Sequence, residues 1–108
     1  MYGLEKEINA LLEGCKESDI YKEYQARREE LLKHEGLKEQ VDEFRTKNYE
    51  IQNQEDDGNL EERIMKLADS YLWLTEQPVV RSFLDAELAL CRMLQEITNY
   101  FLVNVDFD

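Results

Sequence analysis

The side chains in this sequence that could do chemistry are few and scattered. There is one histidine, His34, inside the polar run Lys33-His34-Glu35-Gly36. Triad catalysis needs a His held against a nucleophile, with that nucleophile raised on a strained turn of the Gly-x-Ser-x-Gly kind. No such turn occurs in the chain, so His34 is expected at the surface or at a helix C-terminus. A carboxylate di-metal centre between helices would need Glu-x-x-His pairs, and the residue three before His34 is Leu31. Asp56-Asp57-Gly58-Asn59 resembles a piece of a calcium loop. It lacks the alternating ligands and the closing Glu, so a solvated turn is expected there. Cys15 and Cys91, with no histidine beside either, make a poor zinc site and are expected as buried packing residues. Arg27-Arg28 is flanked by Glu29-Glu30, an ordinary mixed-charge face, and no Gly-rich loop is available to cradle phosphate. No catalytic residue, metal ligand or cofactor is therefore expected.

Two residues stand apart from the helical pattern. Glu87 falls among Phe83, Leu90 and Leu94 on the apolar side of a long helix, where a carboxylate needs a partner. It is either a polar device that fixes the register of a dimer or a side chain that reaches an Arg, a Tyr or water at the edge. Trp73 lies off the stripe of its own helix, near Glu62, Lys66 and Asp69. It is a candidate anchor for a partner, or else a cover for the corner from Thr75 to Pro78. Tyr49, off the stripe of the helix before, is a second candidate anchor.

The elements that must position these residues read as helices. Pro78 suits a first helical position, and from Val79 to Val103 there is no Gly or Pro. The apolar arc of this helix is roughly 200° wide, against the ~100° that one core needs. At ~26 residues it is about 39 Å long, more than the roughly 34 Å diameter of a compact domain of this length. Its own chain cannot cover it, and a second copy is the expected cover. The expected interface is Val80, Phe83, Glu87, Leu90, Leu94, Ile97 and Phe101. Before it, Leu4, Ile8, Leu11 and Cys15 mark a first helix, and Ser18 is the natural N-cap of a second. A break is expected at His34-Glu35-Gly36. Leu37, Val41, Phe44 and Ile51 then mark a third helix. After a loop from Gln52 to Asn59, Asn59 and Glu62 suggest a capping box for a fourth helix along Leu60, Ile64, Leu67, Tyr71 and Leu74. The expectation is one all-α domain over residues 1–108, a helical bundle of about five helices with a long C-terminal helix, dimerising.

Composition narrows the partners. Among 108 residues, 25 are acidic and 13 basic, for a net charge of −12. Such a surface repels nucleic-acid backbones and anionic lipid, so direct binding to nucleic acid or membrane is not expected. Two widely separated cysteines and an N-terminus that turns acidic at once suggest a cytoplasmic protein.

Several stretches carry a family resemblance. They are Ser18-Asp19-Ile20-Tyr21-Lys22-Glu23-Tyr24, then Leu31, Leu37, Val41 and Phe44, then Gly58, then Pro78-Val79-Val80 leading to Leu90, Leu94 and Ile97. Together they resemble the YlbF/YmcA family of small bacterial helical proteins, YheA-like proteins among them. The most specific parts are the Ser-x-x-Tyr start of the second helix and the Pro-Val-Val opening of the last. Both are packing and capping positions. The resemblance implies an all-α regulatory protein that forms homodimers or higher homo-oligomers. It also implies heteromeric partners, namely a YaaT-like protein and YlbF/YmcA paralogues, and roles in competence, sporulation, biofilm formation and endoribonuclease-dependent mRNA maturation. Iron–sulfur clusters implicated in that complex do not carry over, because this chain has no cysteine cluster. The reading is a non-enzymatic adaptor. The alternatives are a structural homo-oligomer, or a ligand-binding protein or enzyme with an unrecognised site.

Overall fold

The computed structural model describes residues 1–54 and 58–105. It is all-α, the expected class, with six helices among the described residues: α1 (Glu5–Glu17), α2 (Asp19–Leu32), α3 (Leu37–Gln52), α4 (Leu60–Ser70), α5 (Leu72–Thr75) and α6 (Pro78–Val105). The extra helix relative to expectation is α5, a four-residue piece set off from α4 by Tyr71.

Local chemistry sets most of the boundaries. Ser18 is extended (φ −67°, ψ 149°), and its hydroxyl accepts the Tyr21 N–H at 3.1 Å, which caps α2 as expected. The same hydroxyl donates to the Cys15 carbonyl and so closes the end of α1. The chain breaks at His34-Glu35-Gly36, where Gly36 takes φ 83° just before α3, a conformation that a Cβ would strain. His34 is exposed in this turn, with its N–H on the Leu31 carbonyl at 3.1 Å and its own carbonyl accepting from Leu37 at 3.3 Å. Pro78 opens α6, where its missing N–H costs nothing. One expected cap is not formed: Asn59 stands at the N-cap of α4, but its side chain makes no capping hydrogen bond. The Asp56-Asp57 part of the calcium-like run lies outside the described residues.

Contacts group the chain into two compact units, Met1–Arg28 with Phe83–Asp108, and Glu29–Ser82. The second unit holds four fully buried apolar residues, one from each of four helices: Leu31, Val41, Leu74 and Val80. Each contributes on the order of 1.5–3 kcal/mol by leaving water. The first unit has a smaller core, centred on Phe83 and Ala86. The Tyr24 ring meets the Phe83 ring at a centroid distance of 5.8 Å. Helix α1 buries no residue at all, and Leu4, Ile8, Leu11 and Leu12 stay exposed along it. Among the described residues, no helix is long and apolar enough to cross a membrane.

Candidate protein-interaction sites

Where α4 gives way to α5, the structure builds an aromatic ledge. Tyr71 leaves helical geometry (φ −110°, ψ 11°) after its N–H has closed the last turn of α4 on the Leu67 carbonyl at 3.2 Å. The next turn starts on a new heading. Leu74 drops into the core, while Trp73 stays 53% exposed. The Trp73 ring stacks on Tyr71 with centroids 6.3 Å apart and planes at 26°. Tyr71 in turn packs on Phe44 of α3 at 5.0 Å. The Gln77 side chain donates to the Trp73 carbonyl at 3.2 Å, so the residue also ties down the corner before α6.

Charge is arranged around Tyr71. The Lys47 ammonium donates to the Tyr71 hydroxyl at 3.0 Å and pairs with the Glu43 carboxylate at 3.0 Å, and its Nζ lies 5.4 Å from the Tyr71 ring centroid. The Tyr71 hydroxyl donates to Glu43 at 3.4 Å. These bonds favour the charged forms of both partners. The hydrogen bond from Lys47, helped by its charge, holds the Glu43 carboxyl below the usual carboxylate range. The Tyr71 and Glu43 bonds push the Lys47 ammonium above its ordinary value. The pairing of Glu43 with Lys47, four apart on α3, is legible in the sequence. The arrival of Tyr71 from α4 is not. Tyr49 is also exposed, but two positions beyond Lys47 it lies about 200° further round α3. The two candidate anchors therefore do not form one patch.

The long helix carries the other candidate site, and the structure divides the residues expected at its interface. Val80 and Phe83 are 0% exposed, fully used by the chain's own packing. Glu87, Leu90 and Ile97 are half-buried, and Leu94 and Phe101 are exposed at 46% and 66%. One continuous face thus goes from covered to bare along α6. The cysteines differ from expectation. Both are free thiols, Cys15 half-buried and Cys91 exposed, because Cys91 sits on the flank of α6 beyond the covered stretch.

A protein of Caldicellulosiruptor bescii called a UPF0342 protein is 24% identical over 99 residues, covering 90% of this chain and 83% of its own. Its namesake in Caldicellulosiruptor saccharolyticus is 26% identical over 98 residues, covering 89% and 82%. No solved structure matches the chain. The family model described as "Control of competence regulator ComK, YlbF/YmcA" matches residues 4–102. That span takes in the Ser18 cap, the Tyr71 ledge and nearly all of α6, and the chain belongs to the YlbF/YmcA family of regulators.

Proposed function

We propose that this protein is a non-enzymatic regulatory adaptor that self-associates through α6 and engages a different protein at the Trp73 ledge. The observation that carries the reading is Trp73 itself. A large ring, 53% exposed, stacks on Tyr71, which Phe44, Lys47 and Glu43 hold in turn. A pre-set aromatic surface loses little side-chain freedom on binding, which is what an interface anchor requires. The family's description as a regulator of competence supports a regulatory role, and protein contact is the means that these surfaces offer. The adaptor works in the cytoplasm, and any part it takes in mRNA maturation runs through a YaaT-like protein or a YlbF/YmcA paralogue.

Trp73→Ala tests this. The variant is expected to weaken the heteromeric complex by about 2 kcal/mol, roughly thirtyfold in Kd. Its melting temperature and its mass in solution are expected to change little, because Leu74, not Trp73, fills the core. Tagged wild-type and variant chains, each tested against the YaaT-like protein and the paralogues, supply the comparison. Equal recovery of partners by both would remove Trp73 from the reading. A lost melt would assign it to the fold.

Charge separates contact with RNA from contact with protein. At net charge −12, the free chain is expected to show no binding to RNA or duplex DNA at ~150 mM salt in a fluorescence-anisotropy titration. Submicromolar binding there would contradict the assignment of RNA contact to a partner.

A further inference from the structure

We propose that α6 pairs antiparallel with α6 of a second copy, in a register that sets Leu90 against Phe101, Leu94 against Ile97 and Glu87 against Asn104 about a two-fold axis. The proposal rests on the self-association put forward above and specifies its geometry.

Residues 80, 83, 87, 90, 94, 97, 101 and 104 step alternately by three and four, and so form one seam along α6. The first two are already buried, Val80 in the second unit and Phe83 in the first, and the uncovered part begins after them. Two members of that part are polar, Glu87 and Asn104. A parallel pairing would set each residue against its own copy. Glu87 would then face the Glu87 carboxylate of its partner, in a chain that already carries net charge −12. Like charges held face to face are unfavourable. Antiparallel pairing about an axis between Gln95 and Glu96 removes that conflict. Every apolar seam residue then meets an apolar one, and the two polar residues meet each other.

Neighbouring registers do worse. Sliding by one heptad in one direction sets Glu87 against Ile97 and calls on Phe83, which is already buried. Sliding the other way sets the apolar Leu94 against the polar Asn104. In the favoured register the overlap starts at Glu87, just past the covered end of the seam. The Asn104 amide already donates one N–H to the Tyr100 carbonyl at 2.8 Å, and its second N–H is left to donate to the Glu87 carboxylate of the other copy. From Leu88 to Val105 the only charged residues are Arg92 and Glu96. Both lie about half a turn from the seam, so two acidic copies meet there along a nearly uncharged surface.

Cysteine pairing tests the register in a background with Cys15→Ser and Cys91→Ser. Chains carrying Leu90→Cys and chains carrying Phe101→Cys are mixed and mildly oxidised. The expected product is a disulfide between the two kinds of chain, with neither kind cross-linking to itself. Like positions would be about 16 Å apart along the axis, well beyond the ~7 Å that a disulfide spans. Self-cross-linking of the Leu90→Cys chain would show a parallel pair and overturn the register. A dimer by light scattering with no cross-link would overturn it too, while leaving self-association standing. A mass of 12.9 kDa would overturn self-association itself. Asn104→Lys gives an independent reading, because Asn104 is exposed and its replacement leaves the fold alone. It is expected to tighten the dimer about fivefold by facing Glu87 at both ends, and the gain is expected to vanish in a Glu87→Gln background. No tightening would count against the pairing of Glu87 with Asn104.

Discussion

Leu94→Asp together with Phe101→Asp is expected to give a folded monomer. Both side chains are exposed within the chain, at 46% and 66%, so two carboxylates there cost the fold little. A dimer formed on this face would have to bury four carboxylates against apolar side chains. Uncompensated buried charge costs several kcal/mol, so the loss in affinity is on the order of a thousandfold or more. Light scattering at micromolar concentration should fall to 12.9 kDa, with the helical circular-dichroism signal retained. A dimer of unchanged mass would move the interface off α6 altogether.

Phe83→Ala, one seam position beyond the proposed overlap, should do the opposite. Phe83 is 0% exposed and meets the Tyr24 ring at 5.8 Å. Truncating a fully buried Phe removes its transfer energy and leaves a cavity, for a cost of about 3–5 kcal/mol. For a domain of this size, that is a large share of the ~5–15 kcal/mol by which the native state is held. Urea titration of the monomeric double-Asp chain, with and without Phe83→Ala, isolates this cost from assembly. A change below about 1 kcal/mol would show that Phe83 is not central to the first unit. The two experiments thus divide one helical face into a part that holds the chain together and a part that is free to hold something else.

That division could not be seen in the sequence. Spacing by three and four marks a face, and Val80, Phe83, Leu94 and Phe101 all satisfy it equally. What covers each of them depends on where the other helices end, and the pattern does not carry that information. Boundaries written into single residues were legible. The Ser18 hydroxyl, the Gly36 turn and the Pro78 start each act within a few residues of themselves, so their types announce them. The break at Tyr71 was not legible, because Leu60, Ile64, Leu67, Tyr71 and Leu74 keep perfect helical spacing with no Gly or Pro among them. At that break Tyr71 is held by residues 24 and 28 positions away, Lys47 and Glu43, and by the Phe44 ring. The turn and the ledge it creates are tertiary facts. Trp73 was found as an outlier from the stripe, but the Tyr71, Lys47 and Glu43 that support it were not. Asn59 shows the reverse error, a residue of the right type at the right place whose side chain does not cap α4.

The Glu43–Lys47–Tyr71 cluster also bears on how the ledge would respond to its surroundings. Its hydrogen bonds move the carboxyl down and the ammonium up, so both charges are drawn further from neutral pH. Any partner at Trp73 would therefore meet the same cation, the same anion and the same ring on either side of neutral pH. A contact made there would be insensitive to protons by construction.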